Sequence, residues 1–133
     1  MPLQYMLDTN ICIYVIKNYP AELRERFNQH ADQMCISAMT LSELSFGAEK
    51  SGRRAENLHA IEQFVALLEI LPFTAKAAVH FGQLRAELER AGRPVGAYDM
   101  LIAAHARAEG LVVVTNNLRE FRRISGLRTE NWV

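Results

Sequence analysis

The chain has 133 residues, a length typical of one compact domain, so we predict a single domain over 1–133. Its 50% hydrophobic and 23% charged residues exclude a disordered chain, because such chains lack the apolar material that offsets conformational entropy. No uncharged apolar run of about 18 residues and no signal sequence are present. We therefore expect no membrane segment and a cytoplasmic location.

Charge and cysteine content exclude two further classes. Fifteen basic and fifteen acidic side chains cancel, which argues against a protein that coats nucleic acid through its overall field. A nuclease remains compatible, because clustered acids lower the net charge while local arginines contact phosphate. The two cysteines, Cys12 and Cys35, match neither a disulfide framework nor a zinc-ligand pattern, so we interpret both as buried apolar residues.

The first half of the chain alternates short apolar runs with helical patterns. Pro20 fits the first position of a helix, because its missing N–H would be unpaired there anyway. The predicted elements of this half are a strand over 4–7, a helix from Ile11, a helix over 20–30, a strand over 34–37, a helix with its first turn near Thr40 and a helix over 57–68.

The second half continues the alternation. Thr74 is a candidate N-cap for a long helix that ends at Ala91, and Gly110 is a typical helix C-terminus. Four consecutive apolar residues over 111–114 indicate a strand buried on both faces, as in the centre of a parallel sheet. The remaining predicted elements are a strand over 69–71, a helix over 98–109 and an edge strand within 127–133.

Strands that alternate with helices predict an α/β protein whose parallel sheet is covered on both sides. Ligands of such sheets bind beyond the carboxyl ends of the strands. Asp8 directly follows the first strand, Glu43 lies shortly after the second, and Asp99 opens the helix before the last clear strand. Three carboxylates at one edge repel one another unless a cation lies between them, and oxygen ligands suit Mg²⁺ or Mn²⁺.

Helix capping is the competing explanation for each acid. Asp8 or Asn10 could cap the helix that follows, and Thr40-x-x-Glu43 matches a capping box. Asp99 could complement the positive end of a helix macrodipole. Taken one at a time, capping is the better explanation, because acids at helix starts are common.

Four segments carry a resemblance to a known family. They are YMLDTNICIYVIK, MCISAMTLSELSFGAEKS, GRPVGAYDMLIAAHARAEGL and VVVTNNLREFRRISGLRTENWV, in order from residue 5 to the C-terminus. Together they resemble the VapC toxins of bacterial toxin–antitoxin pairs, which are PIN-domain ribonucleases. The resemblance implies an α/β, three-layer α/β/α PIN-like fold with a central, mainly parallel sheet.

By this resemblance Asp8, Glu43 and Asp99 match the acidic triad of the family. Mg²⁺, or Mn²⁺ in its place, would bind Asp8 and Asp99, while Glu43 orients the attacking water. Thr9 and Thr115 lie where the family usually keeps polar residues beside the metal.

The chain departs from the family pattern after its last buried strand. Many members have a fourth acid there, whereas this chain has Asn117, and the nearest carboxylate is Glu120. An amide contributes no charge, so we expect a second ion to be held more weakly than the first.

The resemblance also implies a substrate and partners. The subgroup that the chain most resembles is similar to enzymes that cut initiator tRNA in the anticodon stem-loop, leaving a 3′-hydroxyl and a 5′-phosphate. A homodimer and a VapB-type antitoxin are expected. Among several surface arginines, Arg119, Arg122 and Arg123 are the favoured RNA contacts, because they lie just beyond the end of the last buried strand.

Two rival hypotheses remain open. A phosphoryl-transfer domain also carries an aspartate after its first strand, but the haloacid-dehalogenase pattern needs a second one where this chain has Asn10. No P-loop or G-x-G-x-x-G motif is present either. A catalytically silent PIN-like module that only binds a partner is compatible with the missing fourth acid.

Overall fold

The computed structural model describes residues 2–18 and 20–133. Its strands are β1 (Tyr5–Leu7), β2 (Met34–Ser37), β3 (Glu69–Leu71), β4 (Val112–Val114) and β5 (Thr129–Glu130). Its helices are α1 (Thr9–Asn18), α2 (Ala21–Gln29), α3 (Ala38–Glu49), α4 (Arg54–Val65), α5 (Ala75–Ala91), α6 (Ala97–Glu109) and α7 (Leu118–Phe121). Among these described residues, no helix combines the length and the apolar character needed to cross a membrane.

The strands form one sheet in the order β3-β2-β1-β4-β5, and every pair is parallel. The first strand therefore lies at the centre, between β2 and β4. The prediction of an α/β fold with a mainly parallel sheet is confirmed. The apolar run over 111–114 gave a strand with all three of its residues buried, and the C-terminal segment adds the expected edge strand.

Successive side chains along each strand point to opposite faces of the sheet and pack into two separate hydrophobic cores, one on each face. Tyr5 and Leu7 pack on the face covered by α1 to α4, whereas Met6 packs on the face covered by α5 to α7. The three-layer arrangement implied by the family resemblance is therefore present. Cys12 and Cys35 are both buried and unoxidised, one in each core, as expected.

The start of α3 overturns the capping-box interpretation. Ser37, the last residue of β2, is the N-cap, and its Oγ accepts a hydrogen bond from the backbone N–H of Met39 at 3.0 Å. Thr40 lies inside the first turn, fully buried, and its Oγ1 has no hydrogen-bond partner among the described residues. Glu43 consequently has no capping role.

Other helix starts also differ from the predictions: α1 begins at Thr9, two residues before the predicted Ile11, and α6 begins at Ala97, one residue before the predicted Tyr98. Pro20 is the N-cap of α2 instead of its first helical residue, because its backbone is extended with φ −66° and ψ 157°.

The α4 helix begins at Arg54, three residues earlier than predicted, and ends at Val65. Apolar spacing identified only the buried face of this helix, so the prediction missed its polar first turn. The prediction also included Leu68, which lies in the turn after the helix.

Thr74 caps α5 as predicted, since its Oγ1 accepts from the backbone N–H of Ala77 at 3.2 Å. We expect Thr74→Ala to lower the free energy of unfolding by about 1 kcal/mol, the usual cost of losing such a cap. Ser42→Ala is the matched control, because Ser42 is exposed inside α3, and its effect should stay within about 0.5 kcal/mol. Urea denaturation measures both changes. Equal losses in the two variants would contradict the cap.

Candidate active site

Asp8 connects the centre of the sheet to α1 and is fully buried. Its Oδ1 accepts a hydrogen bond from the backbone N–H of Ile11 at 2.8 Å, which is a helix N-cap. Its Oδ2 accepts one from the hydroxyl of Thr115 at 2.5 Å, and Thr115 directly follows the neighbouring strand β4. Capping and a role in a site are therefore compatible, because each uses a different oxygen.

Glu43 reaches the same edge of the sheet from α3. Its Oε1 accepts a hydrogen bond of 2.5 Å from the hydroxyl of Thr9, the first residue of α1. The negative charge of Glu43 contributes to raising the pKa of Asp8. The structure thus brings together Asp8, Glu43 and the two threonines that the sequence singled out.

Asp99 and Glu120 form the other side of the cluster. Glu120 Oε1 accepts from the backbone N–H of Gly96 at 3.0 Å, and its Oε2 accepts from the side-chain amide of Asn117 at 2.7 Å. A Cβ placed on Gly96 would lie 3.8 Å from Asp99 Oδ2 and 3.9 Å from Glu120 Oε1, so both carboxylates face one short backbone segment. Glu120 therefore lies beside Asp99, and Asn117 donates to its carboxylate.

The pKa values of Asp8 and Asp99 are raised by burial and by the charges of neighbouring acids. Burial, assisted by the charge of Glu43, raises the pKa of Asp8 to about 6. Burial also raises the pKa of Asp99 to about 7, followed by its hydrogen bond with Glu120 and then by the charges of Glu120, Asp8 and Glu43. The pKa of Glu120 is lowered, chiefly by the Gly96 N–H. Between these two partners the proton belongs to Asp99.

This donor set fits a hard divalent cation. The acidic edge, formed by Asp8, Glu43, Asp99 and Glu120, offers only oxygen ligands, which suit Mg²⁺ or Mn²⁺. The raised pKa values of Asp8 and Asp99 show that their ionised forms are unfavourable in this environment. A bound cation would stabilise those ionised forms. Within residues 2–18 and 20–133, no three acidic, histidine or cysteine side chains lie close enough together to hold a metal ion without moving.

The predicted RNA-contacting arginines occupy different environments. Arg119 and Arg122 are exposed on and after α7. Arg123 donates to the carbonyl oxygen of Pro94 at 2.7 Å, and its charge contributes to lowering the pKa of Glu120. Arg123 therefore links the loop before α6 to the segment that follows α7. The sequence did not reveal this hydrogen bond.

A buried histidine also links the elements that carry the acids. His105 of α6 is fully buried, and its Nδ1 lies 2.8 Å from Ser37 Oγ, the N-cap of α3. Burial lowers the pKa of His105, which keeps its ring neutral. The ring edge packs on Phe73, with the centroids 5.3 Å apart. The histidine is thus a packed residue, and it links the helix of Asp99 to the helix of Glu43.

Comparison with known proteins identifies the class of the domain. The model of the PIN domain family matches residues 5–127. PIN-domain nucleases generally use divalent metal ions, in agreement with the oxygen-only donor set.

Relatives of known name match almost the whole chain. The tRNA(fMet)-specific endonuclease VapC of Shigella flexneri is 59% identical over 130 residues, which are 98% of this chain and 98% of that protein. VapC in the structure of DNA-bound VapBC from Salmonella typhimurium superposes with a TM-score of 0.96 at 57% identity, covering 98% of this chain and 99% of that one. For DNA-bound VapBC2 of Rickettsia felis the TM-score is 0.94 at 41% identity, with full coverage of both chains. The chain belongs to the VapC family of PIN-domain ribonucleases.

We expect Asp8 and Asp99 to lower the stability of the metal-free protein as the pH rises from about 4 to about 7. Their folded-state pKa values, about 6 and about 7, exceed the ordinary value of 3.8, so these two groups bind more protons in the folded than in the unfolded state, whereas the lowered pKa of His105 acts in the opposite direction below its ordinary value of 6.5. Each deprotonation therefore favours unfolding until the pH exceeds the folded-state pKa. Thermal unfolding in EDTA across this range measures the trend.

Asp99→Asn should raise the thermal midpoint of the metal-free protein at pH 8 and flatten the upper part of that pH dependence. Asp32→Asn is the matched control, because Asp32 is an exposed loop acid with φ 71°, which asparagine also adopts readily. The control should keep the slope of the unchanged protein. A parallel loss of stability in Asp99→Asn would contradict the electrostatic account.

Proposed function

We propose that this chain is the toxin of a toxin–antitoxin pair and a Mg²⁺-dependent endoribonuclease that cuts initiator tRNA in the anticodon stem-loop, thereby stopping translation. The observation that carries the proposal is the acidic edge, where four carboxylates lie beyond the carboxyl ends of parallel strands. The substrate is supported by the relatives from Shigella flexneri and Salmonella typhimurium, both named tRNA(fMet)-specific endonucleases.

Asp8 and Asp99 would hold the cation, with Glu43 beside them. When bound, Mg²⁺ supplies polarisation of the phosphate and stabilisation of the charge that develops on it. Thr115 fixes one oxygen of Asp8 and the α1 N-terminus fixes the other, so this carboxylate keeps one orientation. Because the pKa of Asp99 is about 7, its proton must leave when a cation binds, and metal affinity should rise with pH.

Glu43 orients the attacking water and receives a proton from it, while the hydrogen bond from Thr9 fixes its side chain. The water oxygen forms the new bond to phosphorus, the bond from phosphorus to the 3′ oxygen breaks, and that oxygen takes up a proton. The products are a 3′-hydroxyl and a 5′-phosphate. Glu120 stays ionised, because Gly96 and Asn117 donate to it, and it adds negative charge at the fourth corner. A second ion would therefore find a carboxylate there.

A VapB-type antitoxin is the proposed partner, since the structures of VapBC from Salmonella typhimurium and Rickettsia felis contain both components. An apolar groove between α1, α3 and α4, lined in part by Ile13, Ile16 and Ile61, offers a surface for it. Ile13 is 38% exposed in that groove, although it is an apolar side chain.

A homodimer is also proposed. Arg119 and Arg122 remain the proposed contacts to RNA phosphates.

Purified protein incubated with total tRNA and Mg²⁺ should yield discrete fragments, mapped by primer extension to the anticodon stem-loop of initiator tRNA. EDTA and Asp8→Asn should each abolish them, because both remove the cation from the acidic edge. An unchanged fragment pattern with Asp8→Asn would disprove the proposed site. Intact tRNA with the unchanged protein would favour a silent binding module.

Glu43→Gln should lower kcat about 100-fold or more, the usual contribution of a positioned proton acceptor, and leave stability nearly unchanged. Glu49→Gln is the matched control on the same helix, where Glu49 is exposed and forms an ion pair with Arg54. Its activity should equal that of the unchanged protein. Single-turnover cleavage and thermal unfolding separate the two effects. Normal cleavage by Glu43→Gln would remove Glu43 from the mechanism.

A further inference from the structure

A cavity of about 500 Å³ lies between the second half of α5 and the segment that leads into α6. Its walls combine apolar side chains with a charged rim. The residues used below are Phe81, Leu88 and Met100 on the apolar walls and Arg85, Glu89 and Arg93 on the rim. Neither the metal site nor the groove between α1, α3 and α4 includes any of them.

The cavity adjoins the acidic edge. Ala97 and Met100 both line it, and Asp99 lies between them in the first turn of α6. Gly96, the residue before Ala97, faces the carboxylates of Asp99 and Glu120. The cavity and the acidic edge therefore share the first turn of α6.

The rim carries a positive charge that the protein does not neutralise. Arg85 pairs with Glu89 at 3.7 Å, so these two charges offset each other. The guanidinium of Arg93 makes no hydrogen bond or ion pair within the described part of the chain, residues 2–18 and 20–133. The rim thus has a net charge of +1, in a protein whose formal net charge is zero. A planar unpaired guanidinium is well suited to bind phosphate.

We propose that this cavity binds the base of a nucleotide adjacent to the cleaved bond, with Arg93 on the phosphate of that nucleotide. Phe81, partly buried, provides an aromatic wall, and bases unstacked from a loop commonly pack against such side chains. The cavity then contributes to the choice of RNA as well as to its affinity. This inference rests on the ribonuclease function proposed above.

The test combines cavity variants with a base deletion. Ala97→Phe fills the cavity, Arg93→Ala removes the phosphate contact, and Arg90→Ala is the matched control, because Arg90 is exposed on α5 but does not line the cavity. The substrates are a stem-loop RNA that contains the mapped cleavage site and copies with an abasic ribose on either side of the cut.

One abasic copy should lower kcat/KM about tenfold for the unchanged protein and for Arg90→Ala, the scale of one lost base contact. Ala97→Phe should lower kcat/KM about tenfold on the intact RNA, and the abasic change should then add nothing further. Arg93→Ala should raise KM and leave kcat unchanged.

Binding provides a readout that needs no cleavage. In EDTA, fluorescence anisotropy with the labelled stem-loop should show Arg93→Ala and Ala97→Phe binding about tenfold more weakly than Arg90→Ala. Thermal unfolding checks that each variant is folded. If Ala97→Phe is unfolded, the comparison of Arg93→Ala with Arg90→Ala provides the test.

Two outcomes overturn the inference. One is that the cavity variants cleave and bind like the control. The other is that the penalties from Ala97→Phe and the abasic ribose simply add, and an altered oligomeric state of Ala97→Phe in light scattering would then assign the cavity to a second copy of the chain. If the unchanged protein cleaves RNA in these cases, only the subsite fails. If it cleaves no RNA at all, the ribonuclease proposal fails with it.

Discussion

Repulsion between carboxylates at one edge of the sheet is the constraint around which the rest of the structure is arranged. Parallel strands end at the same edge, so acids that follow them are brought together whether or not their charges are balanced. Asp8 is fully buried there, and its pKa and that of Asp99 are raised. Hydroxyl, amide and backbone donors hold Asp8, Glu43 and Glu120 in place, and Asp99 shares a hydrogen bond with Glu120.

Each acid is fixed by an element that already has a structural purpose. Asp8 uses one oxygen to begin α1 and the other to meet Thr115, so the same residue starts a helix and joins two strands. His105 and Ser37 bind the helix of Asp99 to the start of the helix of Glu43. The geometry of the site thus follows from helix starts and core packing, which makes it rigid before any substrate arrives.

The sequence could predict what depends on local pattern. The apolar run at 111–114 identified a buried strand, and Asp8 stood out because it follows one. The start of α3 could not be predicted from a local pattern. Thr40-x-x-Glu43 matches a capping box, although the helix is capped by Ser37, three residues earlier. The place of Glu120 beside Asp99 depends on the Gly96 N–H, 24 residues away in the chain, and no local pattern contains that contact.

The order of the strands also has a consequence for synthesis. The hydrogen bond between Asp8 and Thr115 spans 107 residues, and β1 lacks one of its two neighbours until β4 has been made. A chain emerging from the ribosome therefore has neither the partner of its buried aspartate nor the carboxylate of Glu120 until residues 115 to 120 have been translated. The acidic edge is in this way completed only after both edges of the β1 strand have acquired their neighbours.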